Sequence, residues 1–155
     1  MPKVSAGLLL YRVREGRLEV LLAHPGGPFY RNKDLGVWSI PKGEPAEGEA
    51  LLDTAKREFH EETGFVVDGK YLELGSVKQK AGKLVHAWAV EGDCDPAALR
   101  SNTFPLEWPP RSGKRVEFPE VDRVEFFELE AARKKIKDVQ AAFLDVLEVR
   151  LGAGP

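Results

Sequence analysis

Residues Gly43 to Phe65 read GEPAEGEALLDTAKREFHEETGF, and the rest of the chain is organised around them. Glu49 to Glu62 contains neither Pro nor Gly and is rich in helix formers. Thr63-Gly64 then ends the helix, because glycine readily takes the left-handed conformation past the last turn. A helix brings positions i, i+3 and i+4 onto a shared face, so Glu58, Glu61 and Glu62 converge. Like charges at that spacing repel by about 0.2–0.5 kcal/mol per pair, so an ordered patch needs a compensating partner. A hard divalent cation such as Mg²⁺ fits, since it prefers oxygen ligands, keeps several waters and completes its shell with phosphates. An isolated E-x-x-E-E is more often a solvated helix face, so its surroundings decide. Leu51, Leu52, Ala55 and Phe59 line one side, spaced for burial against a sheet. Glu58 and Glu62 border that stripe and Glu61 lies a little further round, which places the patch nearer a cleft than open water.

With 155 residues the chain is the size of one domain, taken as 1–155. Lys+Arg 23 against Asp+Glu 25 gives a formal charge of −2. No global basic field marks a dedicated nucleic-acid binder, and any anionic ligand must be held locally. The single cysteine, Cys94, excludes an internal disulfide framework and a Cys-based zinc site, and fits a reducing, cytoplasmic setting. Ala6 to Tyr11 is apolar but far short of a membrane span and lacks a cleavage pattern, so a soluble protein without a targeting segment is expected.

Outward from the helix, residues 3–13 and 18–23 form an expected hairpin across Arg14-Glu15-Gly16-Arg17, with Ala6 to Tyr11 covered on both faces. His24 to Leu35 is a Pro- and Gly-rich loop whose Phe29 and Tyr30 either cap the core edge or stack on a base. Val37 to Ile40 is a short strand stopped by Pro41. Phe65 to Val67, Tyr71 to Gln79, Lys83 to Val90 and Val121 to Leu129 are further strand candidates. Glu91 to Glu120, with five prolines, reads as a long loop or an insertion with short elements, whose apolar residues suit a dimer contact or cover the core. Glu130 to Leu151 reads as one amphipathic helix, with Arg133, Lys134, Lys135 and Lys137 outward as a solvated face. The order implies an α+β fold, an α/β/α sandwich on a mixed β-sheet.

Gly43, Glu49, Arg57-Glu58, apolar Phe59, Glu61-Glu62, Gly64 and apolar Phe65 fill every fixed position of G-x5-E-x7-R-E-U-x-E-E-x-G-U. The stretch thereby resembles the Nudix box. The lead-in Trp38-Ser39-Ile40-Pro41-Lys42-Gly43, the strand order and the terminal helix also look like the MutT-like Nudix fold. The resemblance implies hydrolysis of a nucleoside diphosphate linked to another moiety, assisted by Mg²⁺ or Mn²⁺. It makes the Gly43 carbonyl, Glu58, Glu61 and Glu62 metal ligands, and Glu49 and Arg57 organisers of the site, the arginine through a salt bridge. Glu58, Glu61, Glu117 and Glu120 are candidate general bases, with a box carboxylate preferred because a base must reach the metal-bound water. Lys42 is a candidate phosphate contact or an ordinary surface lysine.

Arg31, Asn32 and Lys33 lie in a loop able to approach the substrate, and Trp108 with Phe29 or Tyr30 is a candidate adenine sandwich. His60 projects away from Glu58 and Glu62, His86 reads as structural, and Trp38 reads as packing beside the box. Dinucleoside polyphosphates or nucleoside triphosphates rank first as substrates, ADP-ribose-type sugars behind. A nucleotide-binding sensor without turnover is the alternative from another class. An isomerase use of the fold has only Cys94 for support.

Overall fold

In the computed structural model, which describes residues 3–152, β1 (Val4–Arg14) and β2 (Arg17–Pro25) form the expected antiparallel hairpin with Arg14 opposite Arg17. Every residue from Ser5 to Tyr11 is buried, and the period-two alternation of β1 separates two cores. Ala6, Leu8 and Leu10 face one, with Leu21 and Ala23 of β2 and Ala55 and Phe59 of α1 (Leu51–Thr63). Leu9 and Tyr11 face the other, with Leu22, Trp38, Phe143 and Leu147.

This hairpin is the middle of a six-stranded mixed sheet. The remaining strands are β3 (Lys42–Gly43), β4 (Tyr71–Lys78), β5 (Leu84–Glu91) and β8 (Val121–Glu128). The order is β4-β5-β1-β2-β8, with β3 beside the start of β1. β5 runs parallel to β1 and the other neighbouring pairs are antiparallel. α1 covers one face; α2 (Leu129–Lys135) and α3 (Ala141–Arg150) cover the other. The expected sandwich on a mixed sheet is therefore the architecture found. No helix among the described residues is long and apolar enough to cross a membrane.

Three expectations need correcting. Phe65 to Val67 is not a strand, although Phe65 and Val67 still pack on the α1 side of the core. Val37 to Ile40 makes only isolated bridges, Ser39 with Ala23 and Trp38 with Ile136, and the pairing resumes after Pro41 as β3. The 91–120 stretch, by contrast, takes the second of its two expected forms, an insertion with short elements: a two-stranded antiparallel ribbon, β6 (Thr103–Glu107) and β7 (Arg115–Pro119), in which prolines occupy positions of a ribbon that has no further neighbours. The terminal helix is broken. α2 stops at Lys135 because Ile136 turns extended (φ −75°, ψ 150°) to pair with Trp38, and a 3₁₀ turn (Asp138–Gln140) precedes α3. Tertiary pairing of a fully buried Ile136 outweighs the helical periodicity running through it.

Candidate active site

β1 and β3 meet with Ala6 opposite Gly43 and Gly7 opposite Lys42. The approach is close enough that a Cβ on Gly7 would stand 2.6 Å from the Pro41 carbonyl oxygen and 2.8 Å from the Lys42 Cβ. Only glycine leaves room for Lys42-Gly43 to lie against the sheet. Gly43 in turn supports a carboxylate: a Cβ there would be 2.1 Å from Glu58 Cδ. The first glutamate of the acidic patch thus sits directly on the first glycine of the motif.

α1 is fixed by Ala55 and Phe59 in the core and ends at Gly64, which takes the left-handed conformation (φ 79°) while its N–H donates to the His60 carbonyl. The remaining carbonyls of the last turn are taken by a neighbouring segment. Arg100 N donates to Thr63 O at 2.8 Å and Asn102 N to Glu61 O at 2.8 Å. Asn102 O then accepts from Glu120 N at 2.9 Å, and Glu120 O accepts from Gly26 N at 2.9 Å. A short run of backbone bonds therefore ties the helix end to Glu120.

Two groups of charges result. In the first, Arg57 donates through Nε to Glu49 (2.9 Å), through Nη1 to Glu58 (2.8 Å) and Glu61 (3.1 Å), and through Nη2 to the Glu44 carbonyl (3.1 Å). Glu49 also accepts from Ala46 N (3.0 Å) and Thr54 Oγ1 (2.8 Å). These bonds, the arginine's first, hold the Glu49 carboxyl down at about 2. They also fasten the loop before α1 to its second and third turns.

In the second group, Lys42, Glu62, Glu120, Tyr30 and Lys137 line a cavity of about 290 Å³. Burial, then the nearby Glu58, pushes Glu62 up to about 8. The same two causes raise Glu120. Burial, then Lys137 and Lys83, lowers Lys42. Among the described residues no ion pair joins any of these groups to a partner, in contrast to Arg57. A larger hollow of about 570 Å³ near Arg17 and Lys134 contains no residue of the motif.

The three expected metal-binding carboxylates are not yet one coordination shell. Arg57 holds Glu58 and Glu61, Glu62 faces the cavity, and among the described residues no three His, Cys, Asp or Glu side chains stand close enough to share an ion. The donor chemistry nonetheless suits a hard cation: Glu62 is half-buried, pressed by Glu58 and Glu120, and held near the backbone of Lys42, which precedes the Gly43 on which Glu58 lies. Glu117 is exposed and takes a hydrogen bond from Thr103 Oγ1, on the ribbon and outside the cavity.

Phe29 and Tyr30 do not cap the core, being 59% and 37% exposed. Phe29 meets Trp108 edge-on, with centroids 5.6 Å apart at 85°, so the two rings contact each other and leave no parallel slot for a base. Trp38 is fully buried on the α2/α3 side of the sheet, not beside the motif, with Nε1 donating to Asp34. His60 is exposed and bonds the Phe65 carbonyl, away from the carboxylates; His86 pairs with Glu73 across the sheet. Lys137 was expected in a solvated cationic face, yet it lines the cavity, while Arg133 pairs with Asp145 and Glu148 and Lys135 with Asp34. No local signal in the sequence separates Lys137 from that run. Gly7 and Asn102 are likewise invisible in sequence, because their roles depend on contacts with segments distant in the chain.

A family model described as the NUDIX domain matches residues 1–147. Nudix hydrolase 7 of Arabidopsis thaliana is 37% identical over 65 residues, which are 42% of this chain and 22% of that protein. The chain thus spans less than a quarter of that relative's length. Among solved structures, a C. elegans Ap4A hydrolase binary complex superposes with a TM-score of 0.68 at 23% identity, covering 96% of this chain and 98% of the other. The NUDIX domain of Shewanella oneidensis NrtR complexed with ADP ribose gives 0.68 at 17% identity, covering 97% and 89%.

Proposed function

The chain belongs to the NUDIX hydrolase family, and from that premise we propose that it hydrolyses a phosphoanhydride bond of a nucleoside diphosphate linked to another moiety, with Mg²⁺ or Mn²⁺. The observation that carries this reading is the pair of carboxyls, Glu62 and Glu120, that have no ion-pair partner among the described residues and stand with Lys42 in one cavity, next to the Glu58 that Arg57 holds against Gly43. The Gly43 carbonyl, Glu58, Glu61 and Glu62 would hold the cation. When bound, it would neutralise the diphosphate, polarise phosphorus and lower the pKa of a water.

The chain's own residues supply position and field. Arg57 keeps Glu58 and Glu61 oriented and ties them to Glu49, so the loop before α1 and the helix keep one geometry. Lys42 offers a point charge to a phosphate oxygen. For the proton of the attacking water we assign Glu120 over the other candidates. It lines the same cavity, its carboxyl is raised by desolvation and then by Glu58, and Arg57 does not occupy it. Glu117 is disfavoured by its position on the ribbon.

Dinucleoside polyphosphates or nucleoside triphosphates rank first and ADP-ribose-type compounds second, and the structural neighbours include an Ap4A hydrolase and a NUDIX domain complexed with ADP ribose. Mass spectrometry of products from a panel of these substrates with Mg²⁺ tests the proposal. Cleavage of a phosphoanhydride in at least one of them is expected. Binding without any product would overturn it in favour of a sensor domain.

A further inference from the structure

Lys137 is set in place by more contacts than a surface lysine needs. Its N–H donates to Trp38 O at 2.9 Å, while Trp38 N donates to Lys135 O at 3.0 Å, so Ile136 and Trp38 form one rung of a parallel bridge. Three residues on, the fully buried Gln140 accepts from Ile40 N through Oε1 (3.0 Å) and donates from Nε2 to Ser39 Oγ (3.0 Å). The segment 136–140 is thereby stitched along 38–40, the stretch that runs into Lys42. This register delivers Lys137 to the cavity that Lys42, Glu62 and Glu120 also line.

Its cationic neighbours in sequence are each neutralised: Arg133 by Asp145 and Glu148, Lys135 by Asp34. Among the described residues neither Lys42 nor Lys137 has an ion-pair partner. The two ammonium groups repel each other, and once a cation engages Glu62 and Glu120 in the same cavity only an anion seated between the lysines relieves that repulsion. A diphosphate whose charge is already met by a cation on the carboxylate side leaves these lysines little to do. A longer phosphate chain brings further anionic oxygens. Resting on the hydrolase reading, we propose that Lys137 and Lys42 together seat a phosphate beyond the diphosphate, and that this seat selects substrates with three or more phosphates over nucleoside diphosphate sugars.

The test compares the wild type, K137Q, K137R as the charge-preserving rescue, and K134Q as a charge-matched control at an exposed position outside this cavity. Calorimetric titrations with inorganic tripolyphosphate and with pyrophosphate, both in excess Mg²⁺, are run beside kcat/KM for diadenosine tetraphosphate and ADP-ribose. K137Q is expected to weaken tripolyphosphate roughly 10-fold, as for loss of one charge-assisted hydrogen bond, with pyrophosphate changing less than about 2-fold. K137R restores the affinity and K134Q leaves it unchanged. Equal losses on both anions, no loss, or the same loss in K134Q would overturn the proposal. The binding arm does not depend on turnover. A protein that cleaves nothing yet shows the selective K137Q loss keeps the seat and loses the hydrolase reading. One that cleaves both nucleotides with K137Q affecting them equally keeps the hydrolase reading and loses the seat.

Discussion

The two charge groups that flank α1 come from the same stretch of sequence and behave oppositely. Around Arg57 every charge has a partner: Glu49, Glu58 and Glu61 share one guanidinium, and Glu49 gains two further donors. Around Lys42 the carboxyls of Glu62 and Glu120 crowd together, Glu62 is pushed up to about 8 by burial and then by Glu58, and Lys42 relieves it only in part, with no ion pair to it among the described residues. A carboxyl crowded in this way stays protonated near neutral pH until a cation draws off its proton, and such perturbed groups cluster at functional sites. The paired group is the frame and the unpaired group is the site.

Substitutions should therefore separate the two. The largest effect on turnover belongs to the unpaired side. Glu62→Gln is expected to lower kcat about 10³-fold by removing a charge aimed at the cation. Its thermal midpoint near pH 7 without metal should stay level, since a neutral amide replaces a carboxyl that is already largely protonated there. A clear drop in midpoint would make Glu62 a structural residue and dissolve the comparison. Next comes Gly43→Ala, whose methyl would collide with Glu58 2.1 Å away. A displaced carboxylate should cost about 10²-fold in kcat/KM; near-normal rates would mean that Glu58 is free to move without consequence.

On the paired side the readout is stability. Arg57→Ala strands three carboxylates, and denaturant unfolding should show a loss of about 2 kcal/mol, a modest figure because the cluster is partly exposed to solvent. The Glu49 carboxyl gives the pH signature. Folding depresses it from 4.5 to about 2, so its contribution is fully present above pH 4.5 and is lost as pH falls towards 2. Thermal midpoints across that window should fall less steeply in Glu49→Gln than in the wild type; parallel curves would show that the Arg57 bond does not discriminate between folded and unfolded chains. The smallest effect is expected for Trp108→Ala, which removes an edge contact with Phe29 worth about 1 kcal/mol. A few-fold rise in KM for dinucleotide substrates with unchanged kcat would fit a role for the ribbon in substrate contact.

How much of this was legible in the sequence follows the same division. α1 could be read from Leu51, Ala55 and Phe59 with Gly64 behind them, because a helix writes its face and its end into neighbouring residues. The Arg57 group could be read for the same reason, since its members lie within one loop and one helix. The cavity could be read only in part. Glu62 belongs to the motif, but Glu120 reaches it through bonds to Asn102 and Gly26, and Lys137 through a bridge to Trp38. Such contacts join segments far apart in sequence and leave no period behind. The 136–140 break was hidden by apolar spacing that continues through it, and the ribbon was hidden by prolines that its isolated two-stranded form tolerates.

The claim that the unpaired carboxylates are the cation site is tested most directly by titrating Mn²⁺ against the wild type and Glu62→Gln, with free ion followed by electron paramagnetic resonance. Binding by the wild type is expected to weaken at least about 10-fold in the variant, whose fold remains intact by circular dichroism. Equal affinity in the two proteins would contradict it.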